Sequence, residues 1–107
     1  MAAFGVACVT LAVLIAVSLV ADRAFSSEPR LPMQWTLTGS VVWSAPRRRA
    51  LLFTPVLSAV ILFAIAGVLS VLGEEDSTNG LLAMCFVSGM LVGVHGFHLW
   101  LVRRTLP

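Results

Sequence analysis

The chain has no lysine and no tyrosine, and its twelve Asp, Glu and Arg residues make only 11% of 107 positions. A surface that poor in charge cannot keep a soluble domain dispersed, because water-facing surfaces are normally about 25–35% charged. The scarcity also excludes a nucleic-acid binder, in which basic and aromatic residues interleave over one face. Two cysteines, Cys8 and Cys85, are too few and too apolar in setting for a disulfide framework or a CxxC metal or redox motif. No P-loop, Ser/His/Asp set or paired carboxylate is present, so no enzyme activity is expected, and no cofactor or metal.

What is abundant is apolar sequence, 59% of residues against roughly 45–50% in soluble domains. It falls into three uncharged runs, residues 3–21, 50–72 and 81–102. At 1.5 Å per residue even the shortest reaches about 28 Å, close to a hydrocarbon thickness of about 30 Å. The expected fold is therefore all-α and integral to the membrane: a single domain, residues 1–107, of three transmembrane helices with an interfacial loop between the first two. For the first run a cleaved signal peptide is the rival. That run lacks a basic leader and exceeds the usual 7–15 residue apolar core, which favours a retained helix.

Orientation follows from the arginines. Arg23, Arg30, Arg47, Arg48 and Arg49 lie in loop 22–49, and Arg103 and Arg104 in tail 103–107, whereas turn 73–80 carries Glu74, Glu75 and Asp76. Positive-inside reasoning places the loop and the tail in the cytoplasm and the N-terminus outside a cell inner or plasma membrane. Arg47–Arg49, Arg103 and Arg104 are then placed to meet lipid headgroups. The bilayer is the first partner, with another membrane protein or a second copy as the next, and no nucleic acid.

Loop 22–49 is the long polar interruption. Pro29 and Pro32 stop the first helix, and Trp35–Thr38 alternate in polarity before Gly39-Ser40, a pair suited to a type II′ turn, and Val41–Trp43. Either a small hairpin or an irregular loop anchored by Trp35 and Trp43 at headgroup depth fits this pattern. Ser44 with Pro46 reads as the N-cap and first turn of the second helix. Pro55 should kink that helix or separate a short interfacial turn from the span proper, and Gly73 should terminate it.

The residues Pro32, Gln34, Trp35, Gly39, Trp43, Pro46 and Arg47 resemble the signature of the domain-of-unknown-function family 1648, membrane proteins related to the N-terminal part of SdpI-like immunity proteins. There a Pro-x-His-aromatic-x3-Gly loop follows the first span and leads through Trp and a basic residue into the second. The match covers about twenty residues, with Gln34 where many members have His. The resemblance implies a membrane architecture and a partner-binding loop with an immunity or regulatory role. Gln34 neither titrates near neutral pH nor ligates metal as His does, which removes proton or metal chemistry from that position.

In the third run His95 and His98, three residues apart, form a possible intramembrane polar site. Its readings are neutral hydrogen-bonded side chains, a proton-coupled path in an oligomeric transport element, or a share of a metal or haem site. Gly89, Gly93 and Gly96 give that helix a small-residue seam for close packing, within the chain or between chains. Gly5, Ala12 and Ala16 on the first helix and Ala59, Ala66 and Ser70 on the second suggest matching seams. Cys8 and Cys85 should lie at similar depth, as buried thiols.

Overall fold

A computed structural model describes residues 1–106; Pro107 lies outside the described residues. In chain order it contains α1 (Ala2–Ala24), β1 (Arg30–Trp35), β2 (Val41–Pro46), α2 (Arg47–Val71) and α3 (Thr78–Thr105). All three helices are long and apolar enough to cross a membrane, and they pack as an elongated bundle of 49 × 28 × 16 Å. Each exceeds its uncharged run by a few residues at one or both ends, because polar flanks continue the helix past the hydrocarbon boundary.

The bundle is inside out relative to a soluble one. The interior face of α1 is Ala3, Ala7, Thr10, Leu14, Ser18 and Ala21, at spacings of three or four, while Val9, Val13, Ile15, Leu19 and Val20 are exposed. In a bilayer large apolar side chains lose nothing by facing lipid, so helices associate through small residues that let backbones approach and through polar contacts. The same holds on α2 and α3, where Ser58, Ala66, Ser88 and His95 are buried and Phe53, Phe63, Phe86 and Phe97 face outward.

Within the chain that pattern leaves most of the expected seams unused. Gly89, Gly93 and Gly96 are exposed, and a Cβ built on any of them meets nothing within 4 Å, so no helix of this chain packs closely on them. Seven-residue spacing (Ser88, His95, Val102) sets the inner face of α3, and the glycines fall off that face. Gly5, Ala12, Ala16 and Ser70 are likewise exposed, Ala59 is half-buried, and Ala66 alone of that group is in the core. Cys8 and Cys85 are free and exposed rather than buried thiols.

Two apolar clusters sit at opposite ends. Ala3, Ala7, Leu62, Ala66 and Met84 close the end near the α2–α3 turn, and Ala21, Phe25, Leu31, Ala50, Leu51 and Val102 close the end beneath the strands. The α2–α3 turn is built by glycine. Gly73 at φ +73° donates to the Ser70 carbonyl while Glu74 donates to the Leu69 carbonyl, a paired C-terminal stop that requires the left-handed residue expected there. Ser77 then caps α3, its hydroxyl accepting the Gly80 N–H at 3.0 Å. Asp76 does the same for α1 from outside it, accepting the Ala2 N–H at 2.9 Å.

The stretch between α1 and α2 is an antiparallel hairpin rather than an irregular loop. Leu31 pairs with Ala45, Gln34 with Trp43 and Trp35 with Val41, with irregular register around Gln34. The turn lies two residues earlier than a Gly39-Ser40 type II′ turn. Leu37 and Thr38 occupy its centre, Gly39 donates to the Thr36 carbonyl, and Gly39 at φ +91° follows, the three-residue hairpin form that ends in left-handed glycine. Ser44 is therefore a strand residue, held by Arg30, and the N-cap position of α2 falls to Pro46, whose ψ of 140° is still extended.

Candidate functional site

Pro55 begins the chain of causes that builds the site. Proline has no N–H, so within the uninterrupted helix α2 the carbonyl four residues earlier, that of Leu51, loses its partner. At membrane depth an orphaned carbonyl is costly and must be satisfied by a neighbouring helix. Ser18 of α1 does this, its hydroxyl donating to the Leu51 carbonyl at 2.8 Å.

A hydroxyl carries one hydrogen, and that one is now spent. The oxygen of Ser18 lies 2.9 Å from Nε2 of His95 on α3, so His95 must be the donor and carries its hydrogen on Nε2. The side chain is 1% exposed and its Nδ1 has no partner, so a second hydrogen there would itself be orphaned. Hydrogen counting thus assigns His95 as the neutral Nε2–H tautomer. One contact set joins all three helices: His95 to Ser18 to the carbonyl that Pro55 freed.

One turn further along α3, His98 serves the hairpin. Its Nε2 lies 3.3 Å from the Pro32 carbonyl, which can only accept. Trp35 stands edge-on to the His98 ring, with centroids 5.7 Å apart, and donates from its indole N–H to Thr105 at 2.8 Å. Leu31, Met33 and Trp35, alternate residues of β1, all pack into the apolar cluster beneath the hairpin.

Arg47 locks the other side. Its Nε meets Asp22 at 2.7 Å, and its Nη1 donates to the carbonyls of Ser26 and Glu28 at 2.9 Å each. These carbonyls belong to the segment leaving α1, where no helical N–H can reach them. Its own backbone N–H bonds the Pro29 carbonyl. Arg47 thus spends its Nε and Nη1 on α1 and the following turn rather than presenting its whole fork to headgroups. Arg48, Arg49, Arg103 and Arg104 remain exposed, with Arg104 lying 4.9 Å from the Trp100 ring centre.

The seven loop residues thus divide by face. Pro32 and Trp35 dock on α3, Pro46 and Arg47 join the hairpin to α1 and α2, and Gly39 makes the turn. Gln34 and Trp43 turn outward and pair with each other, the Trp43 indole donating to Gln34 Oε1 at 3.0 Å. His95 and His98 share a helix but not a site, since one is buried between helices and the other is under the hairpin. No cluster of three His, Cys, Asp or Glu able to hold a metal exists among the described residues.

Sequence reasoning passed over Ser18, Leu51, Asp22 and Thr105. One signal was available for the first two. A proline inside a span frees the carbonyl four residues before it, and a serine on a neighbouring span is one of the groups that can satisfy it.

In comparisons with known proteins, no family model, no curated protein and no solved structure matches the chain.

Proposed function

We propose that the chain is a small accessory or regulatory membrane protein that acts by binding a partner, and that the hairpin is the surface it offers. The observation carrying this reading is the contrast between the hairpin's two faces. The inner face is fixed to the bundle through His98, Thr105 and Asp22, whereas Leu37 is fully exposed and Val42 and Trp43 are about half exposed. A rigid, aromatic, uncovered edge lowers the ordering cost of association, and Trp is the residue most enriched at binding hot spots.

The resemblance to the domain-of-unknown-function family 1648 lies in this same hairpin, which gives the reading its most specific form: SdpI-like protection against a membrane-active toxin. The arginine distribution supports a cytoplasmic hairpin and C-terminus with the N-terminus outside. No catalytic role is proposed.

A second reading, an oligomeric transport element using His95 and His98, is favoured by three buried polar atoms without partners, His95 Nδ1, Ser58 Oγ and Ser88 Oγ, on α2 and α3. The two separate on substitution. His95→Gln and His98→Gln keep an N–H donor but cannot titrate, so partner binding should survive them and transport should not. Photo-crosslinking from position 42 in intact membranes should trap one membrane protein, and Trp43→Ala should abolish the adduct without lowering membrane levels. An adduct unaffected by Trp43→Ala, together with activity lost in both Gln variants, would favour transport.

A further inference from the structure

A groove of about 670 Å³ runs between the C-terminal half of α1 and that of α3, a volume inside the range of about 300–1,000 Å³ found for ligand pockets. Val17, Val20, Gly96 and Leu99 line its wall and Trp100 its flank. Gly96 borders open space, since a Cβ there would meet no other atom within 4 Å. At the end where both helices leave the apolar region the lining changes to Ser27, Glu28 and Arg103. Among the described residues neither Glu28 nor Arg103 makes an ion pair, although both face the same space.

We infer that this groove is a binding site for a phospholipid whose headgroup carries both a phosphate and a primary ammonium, the ethanolamine class. The apolar wall suits an acyl chain lying along the helices. Trp100 lies two residues before the end of the uncharged run 81–102, ahead of Arg103, the kind of position where indoles favour the boundary between hydrocarbon and headgroups. Arg103 offers the phosphate a forked donor. Glu28 is what narrows the class, because an acid at the mouth repels a purely anionic headgroup and attracts an ammonium, while the Ser27 hydroxyl serves either. The site does not depend on the hairpin's binding a partner, nor on which side of the membrane this end faces.

The test is native mass spectrometry of the full chain released from nanodiscs containing equal amounts of ethanolamine and glycerol phospholipids. Wild type should retain the ethanolamine lipid at least about threefold over the glycerol lipid. Glu28→Gln should abolish that preference while retaining lipid, Arg103→Gln should reduce retention of both, and Gly96→Leu, which fills the groove from an exposed position, should lower retention about tenfold. Circular dichroism of each variant checks that the helices persist, and Gly93→Leu, outside the groove lining, serves as the matched control for an added leucine. Equal retention of both lipids by wild type, a preference for the glycerol lipid, or retention unchanged by Gly96→Leu would overturn the assignment.

Discussion

Ser18 shows how much one hydroxyl can decide. It satisfies the carbonyl freed by Pro55 and receives the His95 hydrogen, so Ser18→Ala leaves two buried groups without partners. Interhelical hydrogen bonds in membranes average about 0.6 kcal/mol and reach about 1.7, and two are lost, so a destabilisation of roughly 1–2 kcal/mol is expected by reversible unfolding in mixed detergent micelles. Pro55→Ala restores the N–H to Leu51, and the double variant Ser18→Ala/Pro55→Ala should recover part of the loss; purely additive effects would separate Ser18 from the proline. Nitrogen-15 spectra of labelled histidine should show His95 protonated on Nε2 and bare on Nδ1. At the opposite end, Asp76 is held below its ordinary value of 3.8, chiefly because its carboxylate accepts the Ala2 backbone N–H. A carboxyl lowered in the folded state stabilises above its unfolded value and loses that contribution as pH falls through the folded value. Asp76→Asn should therefore lower the unfolding midpoint at pH 7, and the gap to wild type should close on acidification below about pH 3.8.

At the scale of elements, the hairpin is too short to persist alone, since two-stranded hairpins are marginal in water and need packing against something else. Its order comes from the bundle. Trp35→Leu combined with His98→Leu removes the bonds to Thr105 and Pro32, and limited proteolysis should then cut within residues 30–46 while α1, α2 and α3 stay intact. Gly39→Ala places a Cβ on a residue at φ +91° and should cost about 1 kcal/mol or more through backbone strain, with faster cleavage at the turn. Gly80→Ala would drive a Cβ into the Glu74 carbonyl oxygen and disturb the α2–α3 turn. The helices were legible because uncharged length is a direct physical criterion, and the Gly73 stop because left-handed glycine is a local requirement. The hairpin was legible only as one of two options, because what stabilises it comes from His98 and Thr105, more than sixty residues away from β1. The glycine spacing did not say which helix it would meet: small-residue spacing marks where a helix could pack closely, and within this chain α3 packs on its Ser88–His95–Val102 face instead.

For the molecule as a whole, the three spans, the proline-freed carbonyl, its serine and histidine partners and the docked hairpin form one dependency. The spans bring Ser18, Leu51 and His95 to one level, α3 continues past that level to present His98 and Thr105, and the hairpin closes the end of the bundle upon them. The loop motif is in this light mostly scaffold, with Pro32, Trp35, Gly39, Pro46 and Arg47 shaping and anchoring a hairpin that leaves Gln34 and Trp43 outward. Topology is testable at the same scale. A single Cys at Ser40, in a chain with Cys8 and Cys85 replaced, should resist an impermeant thiol reagent in intact cells and react after permeabilisation. The most direct measurement of the central claim is hydrogen–deuterium exchange on the full chain in nanodiscs, followed over residues 30–46. Slow exchange of the paired strand amides, accelerated by Trp35→Leu/His98→Leu with the helices unchanged, is the predicted result; hairpin amides exchanging at the rate of an unstructured peptide in the unaltered chain would contradict it.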